Sequence, residues 1–415
     1  MAKLYQDISK IKQIDPLELD WFTLAETRDL VDALGRENMR FVGGAVRDSL
    51  LGLPVTDVDV AVSLTPDQVI ERLRFAKIKA IPTGIEHGTV TAVVDQKAYE
   101  ITTLRHDVKT HGRHADVAFT ENWQEDAKRR DFTINALYMD DDGNIYDYFD
   151  GRTDLENTHV KFIGDANKRI EEDALRILRY FRFMSRFGVN SIEGDSEGFD
   201  AAVAQANRLT FLSAERIREE LKKLLLGKDC VAVLSLMMEK GVWRYILPDF
   251  DIEPLKRLVE VERIINKDDV YLRLIRVMPR KMGDVREAVK RIRLSNAETA
   301  YLMGLLHPDP RVTPDMDEVT LREVSYRYGI KDLTSYAVLN ADVASAEKLA
   351  EFLDKIKSYE PPQFPITGSH LIDLGIETGP AMGELLALLE ERWIESNFLI
   401  SRDDLLEMAK LPNLH

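Results

Sequence analysis

A chain of 415 residues is too long for one ordinary hydrophobic core and points to about two to four domains. Its 45% apolar and 31% charged residues are the balance of a water-soluble globular protein, and no run approaches about 18 uninterrupted apolar residues, which excludes a membrane-spanning helix. The single cysteine, Cys230, excludes an internal disulfide and a cysteine-rich zinc site, and the net charge of −16 argues against nucleic-acid binding by the whole surface, although phosphate contacts need only a local basic face.

The first residues, MAKLYQDISKIKQIDPLELDW, contain no apolar signal core, so a cytoplasmic protein is expected. Residues 1–40 read as helical, with TLAETRDLVDALG ending at Gly35. RFVGGAV, VDVAVS, GTVTAVVD and YEITTLR then read as strands by their β-branched content and alternation. Between them, LTPDQVIERLRFA opens a helix with Thr65 as N-cap and Pro66 at the first helical position. From about Asp165 strand signals almost vanish and helical patterns follow one another, among them RIEEDALRILRYFRFMSRFG, SAERIREELKKLLL, CVAVLSLMMEKGVW and GPAMGELLALLEERWIE. The expected class is α+β: a mixed α/β head with a small sheet, followed by an all-α remainder. We expect the head to span residues 1–150, with helical segments over 151–225, 226–330 and 331–415.

Three stretches carry chemistry. In FVGGAVRDSLLGLPVTDVDVAV, Asp57 and Asp59 stand two apart, so on a strand they project to one side, about 6.6 Å apart along the backbone. Two carboxylates at that spacing repel unless a cation lies between them, and a pair of Mg²⁺ ions about 3.5–4 Å apart fits the gap. Glu100, flanked by apolar residues in AYEITTL, is the candidate third acid. Upstream, Gly43 and Gly44 allow backbone N–H groups to approach a phosphate, and Arg47 follows one helical turn on.

In KRRDFTINALYMD, Arg129 and Arg130 suit triphosphate oxygens, which they can meet in bidentate fashion. Asp131 and Asn135, four apart, would share a helix face and hold ribose hydroxyls. In RIEEDALRILRYFRF, Asp173 and Arg176 would be neighbours on one helix, with Arg179 and Arg182 continuing at three-residue steps. Asp173 only accepts hydrogen bonds and Arg176 only donates them. Cytosine and adenine each offer an amino donor beside a ring-nitrogen acceptor, so such a pair matches both; uracil and guanine reverse the order. Alone, each stretch has a plainer reading: a solvated edge strand, a surface ion-pair cluster, an amphipathic helix with an ordinary ion pair.

Together the three motifs resemble the bacterial and eukaryotic (class II) tRNA nucleotidyltransferases, the CCA-adding enzymes, and their sister bacterial poly(A) polymerases, within the polymerase β-like superfamily. GGAVRDSLLG, DVD, RRDFTINAL and EEDALRILRYFRF match in order and spacing, as do the linking GRTDLENTHVKFIGDANKRI and the following SAERIREELKKLL. The resemblance is specific over roughly residues 40–225. It implies a head, then a helical neck over 151–225 that reads the nucleobase, a body over 226–330 and an RNA-binding tail over 331–415. It further implies that Asp57 and Asp59 ligate Mg²⁺, two ions in all, with Glu100 as third acid. Gly44, Arg47 and Arg130 would lie near the triphosphate, and Asp131 and Asn135 near the ribose. Asp173 and Arg176 would read the base, with Arg179 and Arg182 beside them.

The reaction implied is template-independent addition of C, C and A to the 3′ end of tRNA from CTP and ATP, with release of pyrophosphate. Poly(A) addition is the nearest rival, and CC-only or A-only addition the next. The stretch before RRDF, TTLRHDVKTHGRHADVAFTENWQED, lacks a basic-aromatic signature and the C-terminus is not basic, which favours the CCA reading; that stretch also fits a flexible loop needed for the final A. The most basic helical run, Arg273 to Asn296, reads equally as a binding site for acceptor-arm phosphates and as a solvated surface. No protein partner is implied.

Overall fold

The computed structural model describes residues 7–111, 114–188, 194–279 and 281–411. The chain divides into two compact units, one of residues 1–249 with 291–293, the other of residues 250–290 with 294–415.

The first unit is built on a seven-stranded sheet. Its strands are β1 (Met39–Val42), β2 (Asp59–Val62), β3 (Lys79–Gly84), β4 (Thr89–Val94), β5 (Lys97–Thr103), β8 (Leu137–Met139) and β9 (Ile145–Asp147). The order across the sheet is β3-β4-β5-β2-β1-β8-β9. Only β2 and β5 run parallel; every other neighbouring pair is antiparallel. The four strands expected from alternation are present as β1, β2, β4 and β5. Strands β3, β8 and β9 add to them. Two of these are three residues long, too short for a period to register.

The stretch expected as a flexible loop instead contains a hairpin, β6 (Arg105–His111) and β7 (His114–Phe119), joined antiparallel; residues 112 and 113 lie outside the described residues. Backbone pairing holds such a hairpin without the apolar alternation that marks a buried strand.

The helix Pro66–Phe75 begins as expected, with Thr65 and Gln68 forming a reciprocal capping box. The helical run expected through Arg169 to Phe183 is broken. One helix spans Ala166–Glu172 and the next Leu175–Phe187, with Asp173 in extended conformation between them. The cause is local: the Asp173 carboxylate accepts the backbone N–H of Leu175 at 3.0 Å, an aspartate turn that competes with helix continuation. Asp131 and Asn135 likewise lie on no α-helix; a single 3₁₀ turn covers Thr133–Asn135.

The second unit contains no strand among the described residues. Leu371, Leu385, Leu389, Trp393 and Leu405 form one buried cluster, against which Tyr326 and Phe398 pack edge-on. Arg273, the first residue of the basic run, is 3% exposed. It is ion-paired to Glu262 at 2.6 Å and to Asp268, so it is withdrawn from any phosphate-binding surface. Arg286 and Lys290 of the same run are exposed.

Candidate active site

Strand β1 is buried along most of its length and ends at Gly43, whose φ of 69° and ψ of −119° suit glycine alone. Gly43 N–H donates to the Leu137 carbonyl at 3.1 Å, tying the turn to β8 before the helix Gly44–Leu50 begins. Register sets Asp59 and Glu100 side by side on two interior strands. Asp59 opens β2 opposite Val42 on one side and Glu100 of β5 on the other. Val60, Ala61 and Val62 are all buried, so Asp59 is the only position of β2 that reaches solvent. Strand β2 starts at Asp59, and Asp57 therefore reaches the site from the irregular approach segment, not from a shared strand face. Desolvation, then Glu100, then Asp57 push the Asp59 carboxyl above its ordinary range, with Arg130 opposing them. Among the described residues no group of three or more His, Cys, Asp or Glu side chains is gathered into a metal cage.

A cleft of about 790 Å³ opens here, all within the first unit. Gly43, Gly44, Arg47, Asp57, Asp59, Arg130, Asp131, Asn135, Arg179 and Arg182 line it; Glu100, Asp173 and Arg176 do not. Seven basic and four acidic side chains face the cleft, a positive local balance in a chain of net charge −16.

The basic groups are held by buried acids. Asp126, 1% exposed, accepts from Arg129 Nε at 2.7 Å, Arg130 Nη2 at 3.2 Å and the Tyr138 hydroxyl at 2.7 Å. Burial opposes its charge, but Arg130, Arg129 and Tyr138 together outweigh burial and hold Asp126 below the ordinary range. The two arginines, alike in sequence, are separated here: Arg130 lines the cleft and Arg129 does not. Arg169, 7% exposed, donates to the carbonyls of both and so fixes their backbone.

Asp131 is also a holder. Its carboxylate accepts from Arg179 Nε at 2.5 Å, Asn135 Nδ2 at 3.1 Å and the Phe132 N–H at 2.9 Å. Burial works against the charge, yet Arg179 and Asn135 keep it well below the usual range. The Asn135 amide oxygen accepts from Arg47 Nη1 at 2.5 Å, so Asp131 and Asn135 are both engaged with protein partners. Arg47, 5% exposed, donates through Nε and Nη2 to Asp48. Asp48 in turn meets Arg186 at 3.0 Å.

The helix Leu175–Phe187 forms the facing wall. Arg179, Arg182 and Arg186 recur at helical spacing, as do Phe183 and Phe187, whose rings stack at 5.9 Å. Arg182 lies 4.1 Å over the Phe183 ring and Arg47 5.2 Å from it. Glu220, 5% exposed, faces Arg182 at 3.0 Å and Arg179 at 3.7 Å. Burial and the adjacent Arg179 lower Arg182 to about 10, which leaves it charged at neutral pH.

Asp173 and Arg176 do not contact each other through their side chains. Asp173 pairs with Arg216 at 2.6 Å, and Arg176 donates to Glu172 and to the Arg169 carbonyl. Both stand within electrostatic reach of the cleft: Arg176 lowers Asp131, and Asp173 raises Arg179. The sequence motifs do not reveal Asp48, Phe183, Arg186, Phe187, Glu220, Lys223 and Lys228, which also belong to the site or support it. Continuing the helical period past Arg182 finds Phe187 and Arg186. Nothing local marks Lys223 or Lys228, which reach the cleft through the fold.

The model of the poly A polymerase head domain matches residues 39–161, and that of the probable RNA and SrmB-binding site of polymerase A matches residues 195–253. The chain is 36% identical over 382 residues to the mitochondrial CCA tRNA nucleotidyltransferase 1 of Danio rerio, covering 89% of this chain and 86% of the relative. It is 32% identical to a CCA-adding enzyme of Ligilactobacillus salivarius, covering 89% and 91% of the two chains. The crystal structure of the Bacillus stearothermophilus CCA-adding enzyme in complex with CTP superposes with a TM-score of 0.73 at 27% identity, covering 92% of this chain and 96% of that one. Identity above 30% sustained over most of both chains shows that the chain belongs to the family of CCA-adding tRNA nucleotidyltransferases.

Proposed function

We propose that this protein adds C, C and A to the 3′ end of tRNA, using CTP and ATP, releasing pyrophosphate and reading no nucleic-acid template. The observation that carries the reading is the cleft itself: an acid pair at the mouth of β2 faces a bank of arginines, each seated on a carboxylate. Nucleotidyl transfer needs both halves, one to activate a hydroxyl and one to neutralise a triphosphate.

The acids suit Mg²⁺. The donors are carboxylate oxygens only, and crowding by Glu100 and Asp57 strains the charge on Asp59. Mg²⁺ at nucleotide sites uses one or two carboxylates and leaves its other positions to water and phosphate, so an open set fits better than a closed cage. Asp57 and Asp59 would hold the metal, with Glu100 beside them. When bound, it supplies Lewis acidity toward a hydroxyl and charge neutralisation at phosphate.

Arg47, Arg130, Arg179 and Arg182 bind and orient the triphosphate. Their carboxylate partners fix each guanidinium in advance, which removes a side-chain ordering cost at binding. Gly43 and Gly44 keep the approach to the phosphates clear, and Asp131 and Asn135 meet the ribose by exchanging one of their present bonds.

Asp173 and Arg176 read the base as an acceptor–donor pair. Asp173 has accepting capacity beyond its bonds to Leu175 and Arg216. Each good base contact discriminates by about 1–3 kcal/mol. Asp173→Ala is therefore expected to cut the preference for C and A over U and G by about tenfold or more. Competition of all four triphosphates on one RNA measures it, and an unchanged preference removes Asp173 from base reading.

In domain terms we read residues 1–150 as the head, 151–225 as the neck, 226–330 as the body and 331–415 as an RNA-binding tail. We assign the cytoplasm as compartment. The Danio rerio relative carries the word mitochondrial in its name, so localisation of the tagged protein in its own cell decides between the two.

The direct test is incubation with Mg²⁺, CTP, ATP and a tRNA transcript ending before CC, followed by sequencing of the 3′ ends. CCA ends are expected. A long A tail would mean poly(A) polymerase activity, and ends stopping at CC would mean the partial enzyme.

A further inference from the structure

Five arginines in the cleft already have an acid partner: Arg47 and Arg186 on Asp48, Arg130 on Asp126, Arg179 on Asp131 and Arg182 on Glu220. Lys223 differs. It lies near the end of the helix Ala214–Leu225, is exposed, faces the cleft, and has no acid partner among the described residues. Lys228, also exposed, lines the same wall five residues on, and Leu226 between them is 44% exposed.

This wall has a different origin from the rest of the cleft. The acids, with Gly43 and Gly44, belong to the segment matched by the poly A polymerase head model, residues 39–161. Lys223 and Lys228 belong to the segment matched by the RNA-binding model, residues 195–253. The Lys223 ammonium next to an exposed leucine offers what a sugar-phosphate strand needs: a point charge for a phosphate and an apolar face for the sugar.

We infer that Lys223 and Lys228 bind backbone phosphates of the RNA 3′-terminal strand, steering its end hydroxyl toward Asp57 and Asp59. The inference rests on the nucleotidyltransferase reading above. A phosphate at this wall has two possible sources, the RNA strand and the incoming triphosphate. The arginine bank with its pre-set acids serves the triphosphate, which leaves this wall to the strand.

The test uses the full chain, a tRNA transcript ending before CC, and CTP. Binding of each is measured by fluorescence anisotropy or titration for the wild type, for Lys223→Ala/Lys228→Ala and for Lys223→Arg/Lys228→Arg. In the double alanine variant tRNA affinity is expected to fall about tenfold or more, with CTP affinity within about twofold of wild type. The slope of log affinity against log salt should drop by about 0.7 for each phosphate that the variant no longer neutralises. The arginine variant keeps the charge and should keep both the affinity and the slope. Weakened CTP binding with unchanged tRNA binding would overturn the inference in favour of a triphosphate role. Unchanged binding of both would overturn it outright. Nucleotide addition by the wild type is measured in parallel, so that absence of any addition counts against the activity and not against the wall.

Discussion

At the scale of single residues, Asp59 shows how a site tolerates a charge it does not favour. Its carboxyl is raised by desolvation and by Glu100 and Asp57. The folded chain therefore retains this proton to higher pH than the unfolded chain does. Stability falls as pH rises from the ordinary aspartate range through the raised value. Asp59→Asn should thus raise Tm at pH 7 in the presence of a chelator, by about 1–2 °C given partial exposure. Added Mg²⁺ should stabilise the wild type and not this variant. A lower Tm for Asp59→Asn in chelator would show that the carboxylate is not strained. Asp57→Ala, at an exposed position, should leave Tm near that of the wild type. It should also reduce turnover on the order of a thousandfold, since a metal centre is worth several kcal/mol of transition-state stabilisation.

At the scale of elements, the site hangs on short-range hydrogen-bonding logic more than on strand or helix propensity. Asp126 sits on the six-residue helix Trp123–Lys128 and ties it to β8 through Tyr138 and to the cleft through Arg130. Its carboxyl is held below the ordinary range, so its contribution is complete above the unfolded value and is lost as pH falls through the folded one. Asp126→Ala leaves Arg129, Arg130 and the Tyr138 hydroxyl without this acceptor and should cost about 3–5 kcal/mol at pH 7, measured by urea unfolding. Tyr138→Phe should cost only about 1 kcal/mol. A difference from wild type that stayed constant into the acid range would contradict the ion-pair assignment.

These elements also explain what can be read from the chain and what cannot. Gly43, Gly44, Asp57, Asp59 and Arg130 are visible because a tight turn, an acid pair and an arginine pair are local patterns. The break at Asp173 is invisible to periodicity, because Leu175, Ile177, Leu178 and Phe181 keep an apolar face on one side of it while a single carboxylate turns the backbone. The acid partners are invisible for a different reason. Asp131 and Glu220 find their arginines through packing, tens of residues away in the chain, where no spacing rule reaches; Asp126 alone stands one helical turn from its pair.

At the scale of the whole molecule, the chain reconciles a net charge of −16 with a polyanionic substrate by concentrating cations where they are needed. The acidic remainder disfavours loose association with nucleic acid, so binding depends on the basic cleft and its surroundings. The two compact units give a second consequence. Every residue that lines the cleft lies in the first unit, and among the described residues the second unit contains helices and no strand. Two units with separate cores need not melt together. A ligand that binds the folded first unit stabilises it by about 2.7 kcal/mol at a hundred times its Kd. Calorimetry should then resolve two transitions, and saturating CTP with Mg²⁺ should move one of them by roughly 5–10 °C while leaving the other in place. Asp57→Ala should weaken that shift if the metal carries part of nucleotide affinity. A single transition displaced as a whole by CTP would mean that the two units unfold as one, and the assignment of nucleotide binding to the first alone would then need a different proof.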